Sequence, residues 1–208
     1  MTRVKRLAIL ASGRGSNMLA ISDACQRGEL DAEIAVVVTN EPNAGVLEIA
    51  KNLSITTACI PHREFPDRES FELALLDVLR PHSPDLVILA GFMRILTERF
   101  IREYYGSLLN IHPSLLPKYP GLDTHQRAID AGDSEAGATV HFVIPELDAG
   151  PAIAQVRVPI LESDTADDLA KRVIVEEHRL YPHAVKLCLE GKARLLDGKM
   201  ANGELIEL

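Results

Sequence analysis

The sequence predicts an α/β protein: a doubly wound, mostly parallel sheet with an antiparallel C-terminal addition and a long C-terminal helix. Three observations point there. Short, continuously apolar, β-branched runs alternate with helix-spaced segments through the first half of the chain. Two further strands then follow one another across a short connection containing Pro and Gly, and a long helical pattern comes after them. Runs that are apolar at every residue suit parallel strands covered on both faces, and strand–helix alternation places helices on both sides of such a sheet.

Taken in order, the expected strands of the first half are Lys5–Ala11, Glu33–Thr39, Thr56–Ile60, Asp85–Ala90 and Leu108–Ile111. Between them Met18–Arg27, Gly45–Leu53 and Asp67–Leu79 carry helical spacing. Ala138–Ile144 and Ala152–Pro159 read as the antiparallel pair, joined through Pro145–Pro151. A long helix is expected to start near Asp164, capped by Ser163 or Asp164, with acidic residues in its first turns. Pro182 predicts a kink or break after Tyr181, and the chain from Arg194 onward predicts a peripheral hairpin.

These elements fit one domain, residues 1–208, with no repeat, low-complexity segment or long linker. Hydrophobic residues make up 47% of the chain, enough to exclude intrinsic disorder. Cys25, Cys59 and Cys188 are odd in number and far apart, so they read as thiols of a reducing compartment. The apolar stretch Leu7–Ala11 is too short for the core of a signal peptide, and no run approaches a membrane span. The expectation is a cytoplasmic protein, monomer or homodimer, without a membrane partner. A net charge of −8 argues against a nucleic-acid partner, which needs Lys and Arg to neutralise phosphates. It leaves room for a small anion, since a few donors in a cleft can oppose the global charge.

Four motifs carry the chemistry. Gly13-Arg14-Gly15-Ser16-Asn17 lies between a strand and a helix, where glycine allows a tight turn and a helix N-terminus attracts an anion. Met18 stands three residues beyond Gly15, so the dinucleotide fingerprint is incomplete, and the Lys of a Walker loop is missing. A phosphate monoester suits the motif better than NAD or ATP; a plain strand–helix turn capped by Ser16 or Asn17 suits it equally. Ala90–Leu96 follows the fourth strand at its carboxyl end, the edge where open α/β sheets bind ligands. Taken singly, Phe92, Ile95 and Leu96 each read first as core.

Asn110-Ile111-His112-Pro113-Ser114-Leu115-Leu116-Pro117 is the most informative. Strand alternation puts Asn110 and His112 on one side, at that same carboxyl edge. An amide can donate to a developing oxyanion, and an imidazole can move a proton near neutral pH. Asp148, in the connection between the antiparallel strands, gains meaning beside them: a carboxylate near His112 would orient the ring and favour its charged form. The seven His and three Cys carry no metal-ligand spacing, and no G-x-S-x-G elbow supports Ser16 or Ser114 as a nucleophile. A metal-free, non-covalent transfer fits best.

Together the four motifs resemble the phosphoribosylglycinamide formyltransferase family, folate-dependent enzymes of purine synthesis. The resemblance rests on Gly-x-Gly-Ser-Asn at 13–17, Ala-Gly-Phe-Met-Arg-Ile-Leu at 90–96, Asn-Ile-His-Pro-Ser-Leu-Leu-Pro at 110–117 and Leu-Asp-x-Gly-Pro at 147–151. It extends from the first strand to Glu177-His178 and Tyr181-Pro182. It implies a Rossmann-like formyltransferase fold that passes the formyl group of 10-formyltetrahydrofolate, a co-substrate, to the amine of glycinamide ribonucleotide, with no metal. It further implies Asn110, His112 and Asp148 as the catalytic group. Gly15, Ser16 and Asn17 would hold the ribonucleotide phosphate, and Glu177, otherwise an exposed helical charge, its ribose. Arg68, Met93, Arg94, Ile95, Leu96 and Asn110 would meet the folate.

Two positions depart from the family pattern: Pro145 lacks an N–H before Asp148, and Asp123 stands where some members carry His. Formyltetrahydrofolate hydrolase and methionyl-tRNA formyltransferase share the Asn, His and Asp arrangement. The first carries an added N-terminal domain and the second a C-terminal barrel, so chain length argues for the smaller enzyme. A non-catalytic nucleotide-binding module would use the glycine loop but not the catalytic trio.

Overall fold

In the computed structural model, which describes residues 3–202 and 205–208, the chain divides into two compact units, 1–109 and 110–208. The first unit contains β1 (Lys5–Leu10), α1 (Ser16–Gln26), β2 (Ala32–Thr39), α2 (Gly45–Asn52), β3 (Thr57–Cys59), α3 (Arg68–Leu79), β4 (Leu86–Leu89) and α4 (Glu98–Glu103). Its strands lie in the order β4-β1-β2-β3, and every pairing among them is parallel. The reason is in the side chains. Leu7 to Ala11 and Val87 to Ile88 are wholly buried, as strands covered on both faces must be. Asp85, just ahead of β4, ties that strand to β1 by accepting from the Arg6 N–H at 2.8 Å and the Lys5 ammonium at 3.1 Å.

The second unit begins inside β5 (Leu108–His112) and continues with α5 (Thr124–Asp130), β6 (Glu135–Phe142), β7 (Ala152–Pro159), α6 (Ala166–Leu189), β8 (Arg194–Leu196), β9 (Lys199–Asn202) and β10 (Ile206–Glu207). The strand order is β10-β7-β6-β5, with β6 and β7 antiparallel and β10 parallel to β7. α6 packs on β6 and β7. Gly137 permits a close backbone approach in this pairing: a Cβ there would lie 1.9 Å from the Val156 carbonyl oxygen.

The expected elements all form, with shifted ends. α1 starts at Ser16 rather than Met18, and its cap is Gly15 rather than Ser16 or Asn17. β6 starts at Glu135 and stops at Phe142, short of Ile144. α6 starts at Ala166, because Thr165 and Asp168 form a reciprocal capping box there. Asp164, the expected cap, instead accepts from the Leu161 N–H at 2.8 Å and pairs with Arg172. The break expected at Pro182 is absent: α6 runs unbroken through it to Leu189. Proline removes one helical hydrogen bond, but Leu180, Tyr181, Ala184 and Val185 around it are fully buried, and that packing outweighs the loss. The short helices α4 and α5 were not anticipated by periodicity, being under two turns long. The hairpin appears as β8–β9; residues 203 and 204 of the expected segment lie outside the described residues.

Candidate active site

β5 delivers Asn110 and His112, two residues apart, at its carboxyl end, and Pro113 ends the strand. His112 is 6% exposed, and its two ring nitrogens have distinct partners. Nε2 lies 2.8 Å from the Tyr119 carbonyl oxygen, which can only accept, so Nε2 carries a proton. Nδ1, the other ring nitrogen, lies 3.4 Å from Asp148 Oδ2. Asp148 sits in the β6–β7 connection with a left-handed backbone, φ 51°, and its carboxylate accepts the Gly121 N–H at 2.9 Å. Asn110 completes the group through His141: its Nδ2 is 3.2 Å from His141 Nε2, and that same nitrogen is 3.9 Å from Asp148 Oδ1. The three residues predicted as catalytic thus gather in one cluster of the second unit.

A buried polar network holds the turn after His112. Thr139 Oγ1 donates to the Ser114 carbonyl at 2.7 Å and accepts from the Leu116 N–H at 3.1 Å and from Gln155 Nε2 at 2.8 Å. Gln155 also donates to the Leu116 carbonyl at 2.8 Å. Every hydrogen-bonding capacity of the Thr139 hydroxyl is filled, which makes the network a rigid support. Ser114 Oγ donates to the Lys118 carbonyl at 2.6 Å, a turn contact that gives it no base and so no nucleophilic role. Sequence reasoning places His141 on a strand beside the site and reads it as a satisfied core histidine, which its burial and two engaged ring nitrogens match; Thr139 and Gln155 it missed. Their signal was available: two polar residues on strands whose neighbours are almost all apolar.

In the first unit, Gly15 has φ 85° and caps α1. A Cβ there would meet Val46 at 2.8 Å, so the backbone at this turn is open only to glycine. Ser16 and Asn17 are the first residues of α1, where the helix dipole is positive. The segment after β4 is fastened at both ends. Ser12 Oγ accepts from the Met93 N–H at 2.8 Å and donates to Asn40. At the far end the buried Glu72 carboxylate accepts from the Thr97 N–H at 2.7 Å and from the Thr97 hydroxyl. Between these anchors Met93 is 69% and Ile95 56% exposed, whereas Leu96 is buried. Arg94 is half-buried and Arg68 is exposed at the start of α3.

Other expected residues fall as follows. Glu177 is buried at 6%, correcting the reading of an exposed helical charge. Asp123 precedes α5 with φ 57°, and Pro145 is exposed in the β6–β7 connection. Lys118 forms an ion pair with Asp133 at 2.9 Å. Burial, joined by the charge of His112, lowers the pKa of His125. Burial pushes the Cys25 thiol up to about 11 and the Cys188 thiol up to about 12, far from reactive thiolates. Among the described residues no group of three or more His, Cys, Asp or Glu could hold a metal ion, and no helix is long and apolar enough to cross a membrane.

An imidazole beside a carboxylate and an amide, on an α/β frame, is chemistry suited to a group-transfer enzyme. The sequence model of the formyl transferase family matches residues 5–185, and the chain belongs to that family. It is 43% identical over 189 residues to phosphoribosylglycinamide formyltransferase of Escherichia coli (strain K12), covering 91% of this chain and 89% of that protein. The solved phosphoribosylglycinamide formyltransferase from Coxiella burnetii superposes with a TM-score of 0.90 at 42% identity, covering 98% of this chain and all of that one. A formyltetrahydrofolate deformylase from Pseudomonas syringae pv. tomato str. DC3000 shares the fold, with a TM-score of 0.89, at 27% identity over 98% of this chain and 67% of that one.

Proposed function

We propose that the chain is a folate-dependent phosphoribosylglycinamide formyltransferase, moving the formyl group of 10-formyltetrahydrofolate to the amine of glycinamide ribonucleotide in purine biosynthesis. The observation that carries this reading is the cluster of Asn110, His112 and Asp148, whose distances suit a developing oxyanion. Identity is also higher to the transferases than to the deformylase. The family match spans both units, which supports reading residues 1–208 as one formyltransferase domain. Both substrates are small and water-soluble, in keeping with a cytoplasmic enzyme that needs neither membrane nor nucleic acid.

The substrate amine attacks the formyl carbon to give a tetrahedral centre whose oxygen gains negative charge. Asn110 donates to that oxygen, and protonated His112 adds its positive charge. Tyr119 keeps Nε2–H of His112 engaged and leaves Nδ1 facing Asp148. Asp148 stabilises the imidazolium from 3.4 Å. The bond from the formyl carbon to the folate nitrogen then breaks. One proton leaves the attacking nitrogen and one reaches the departing nitrogen, through His112 or a water ordered by Asp148. No metal takes part in this scheme.

The remaining roles follow residue by residue. Gly15, Ser16 and Asn17 bind the ribonucleotide phosphate at the positive end of α1. Glu177 accepts from its ribose hydroxyls. Met93 and Ile95 offer exposed apolar surface to the folate, with Arg94, Leu96, Arg68 and Asn110 as its further contacts.

The test is to follow release of deformylated folate from 10-formyltetrahydrofolate with and without glycinamide ribonucleotide. Release that requires the ribonucleotide and yields formylated product supports the transferase. Equal release without it makes water the acceptor and the chain a hydrolase. No release in either case leaves a binding module or a transferase with a different amine acceptor.

A further inference from the structure

We infer that His141 is a positioning residue for the transfer: it ties one Nδ2–H of Asn110, fixing the amide so that its other N–H faces the developing oxyanion. The inference rests on the reading of Asn110 as an oxyanion donor, and adds what holds that donor in place.

The argument begins with the backbone. The pairing of β6 with β7 shifts register between Val140 and His141, an irregularity of the kind that turns a side chain away from its regular direction. Two residues after Asp148, Gly150 lets the chain pass against this bend. A Cβ there would stand 1.8 Å from the Phe142 carbonyl oxygen and 3.5 Å from His141 Nδ1. The Phe142 carbonyl is thereby free to face the ring, and His141 Nδ1 lies 2.9 Å from it.

That contact sets the tautomer. A carbonyl accepts only, so Nδ1 bears the proton and Nε2 of the neutral ring presents a lone pair. The group 3.2 Å from Nε2 is the Asn110 amide nitrogen, which therefore donates to it. An amide has two N–H bonds in fixed directions; with one held by His141, rotation about the side chain is stopped. The second N–H and the carbonyl oxygen are then fixed in direction without any further contact.

His141 itself is poorly suited to the other roles it could take. It is 2% exposed, and both ring nitrogens are engaged, so it neither reaches substrate nor shuttles protons. Charged, its Nε2–H would oppose the Asn110 amide and turn to Asp148 Oδ1, 3.9 Å away. Burial keeps the ring below its usual range, against the pull of the Phe142 carbonyl and Asp148, and the charge of His112 adds to the lowering. The neutral ring is the form that holds Asn110.

Two variants separate this role from plain packing. His141→Gln retains an acceptor at similar reach, whereas His141→Met keeps the size without a comparable acceptor. We expect His141→Met to lower kcat by about ten- to a hundredfold, with the KM of both substrates within about threefold. We expect His141→Gln to recover most of the loss. In a double-mutant cycle, His141→Met should remove little further activity from Asn110→Ala, since the group it positions is already gone. Full additivity, an unaltered kcat in His141→Met, or equal activity of the Met and Gln variants at equal thermal stability would each overturn the inference. If Asn110→Ala alone stays within about tenfold of the parent, the oxyanion reading of Asn110 fails first and the inference falls with it. The cycle thus tells the two failures apart.

Discussion

His112 and Asp148 meet through a single carboxylate oxygen: Oδ2 stands 3.4 Å from His112 Nδ1 and also accepts the Gly121 N–H at 2.9 Å. The backbone donor fixes the carboxylate, and the carboxylate in turn faces the one ring nitrogen that Tyr119 leaves unengaged. Charge and orientation can therefore be separated by substitution. Asp148→Asn keeps an oxygen for Gly121 but removes the negative charge. It should lower kcat by about a hundredfold with little change in thermal stability, and His112→Ala should lose at least about two orders of magnitude. Steady-state rates of formyl transfer decide this. A kcat within tenfold of the parent for either variant would remove that residue from the mechanism.

Gly15 gives a second, independent prediction. Alanine there must adopt φ 85° and press its Cβ to within 2.8 Å of Val46. Either the turn opens or α2 shifts, and both alter the N-terminus of α1. Gly15→Ala should destabilise the protein by about 1–3 kcal/mol and raise the KM for the ribonucleotide more than the KM for the folate. A variant that raises both equally would detach this turn from phosphate binding.

The Glu72–Thr97 pair leads to a third. Glu72 is 3% exposed, and the Thr97 N–H and hydroxyl both donate to its carboxylate. Thr97→Val deletes one of those donors and leaves a buried carboxyl group half satisfied, a loss of about 1–3 kcal/mol. The segment carrying Met93 and Ile95 keeps only the backbone half of its C-terminal anchor. We expect a lower melting temperature and a raised KM for formyl folate, with kcat at saturating folate nearly unchanged. Unchanged folate KM in a destabilised variant would confine the pair to a structural role.

What the sequence made legible follows the physics of each signal. Asn110 and His112 were legible because they are polar residues ending a strand that is otherwise apolar, Asp148 only in combination with them, and β4 because all four of its residues are apolar, as their burial requires. The start of α6 was misplaced because Ser163, Asp164 and Thr165 are all good caps, and only the partner three residues on distinguishes them; Asp168 completes the box with Thr165. Pro182 misled for a different reason: a local penalty was weighed without the buried face that opposes it. Glu177 shows the remaining gap. Its burial is decided by what lies opposite α6, and nothing in its own neighbourhood states it.

Acid stability supplies the last prediction. Burial lowers the pKa of His125, His141 and His178, so each is more easily protonated in the unfolded chain than in the fold. Where the unfolded state binds more protons, stability rises with pH; the contribution of these residues is complete above their ordinary value of about 6.5 and is lost as pH falls from there towards their folded values. The carboxylates of Asp67, Asp133, Asp164 and Asp168 act later, because hydrogen bonds and ion pairs hold them below their usual range. The melting temperature should therefore be flat from about pH 8 to 7 and decline between about pH 6.5 and 5, before these carboxylates titrate. His178→Gln, which cannot charge, should soften that decline without altering the plateau. A melting temperature that stays level down to pH 5, or a decline that His178→Gln leaves as steep, would show that these histidines do not govern the acid limb.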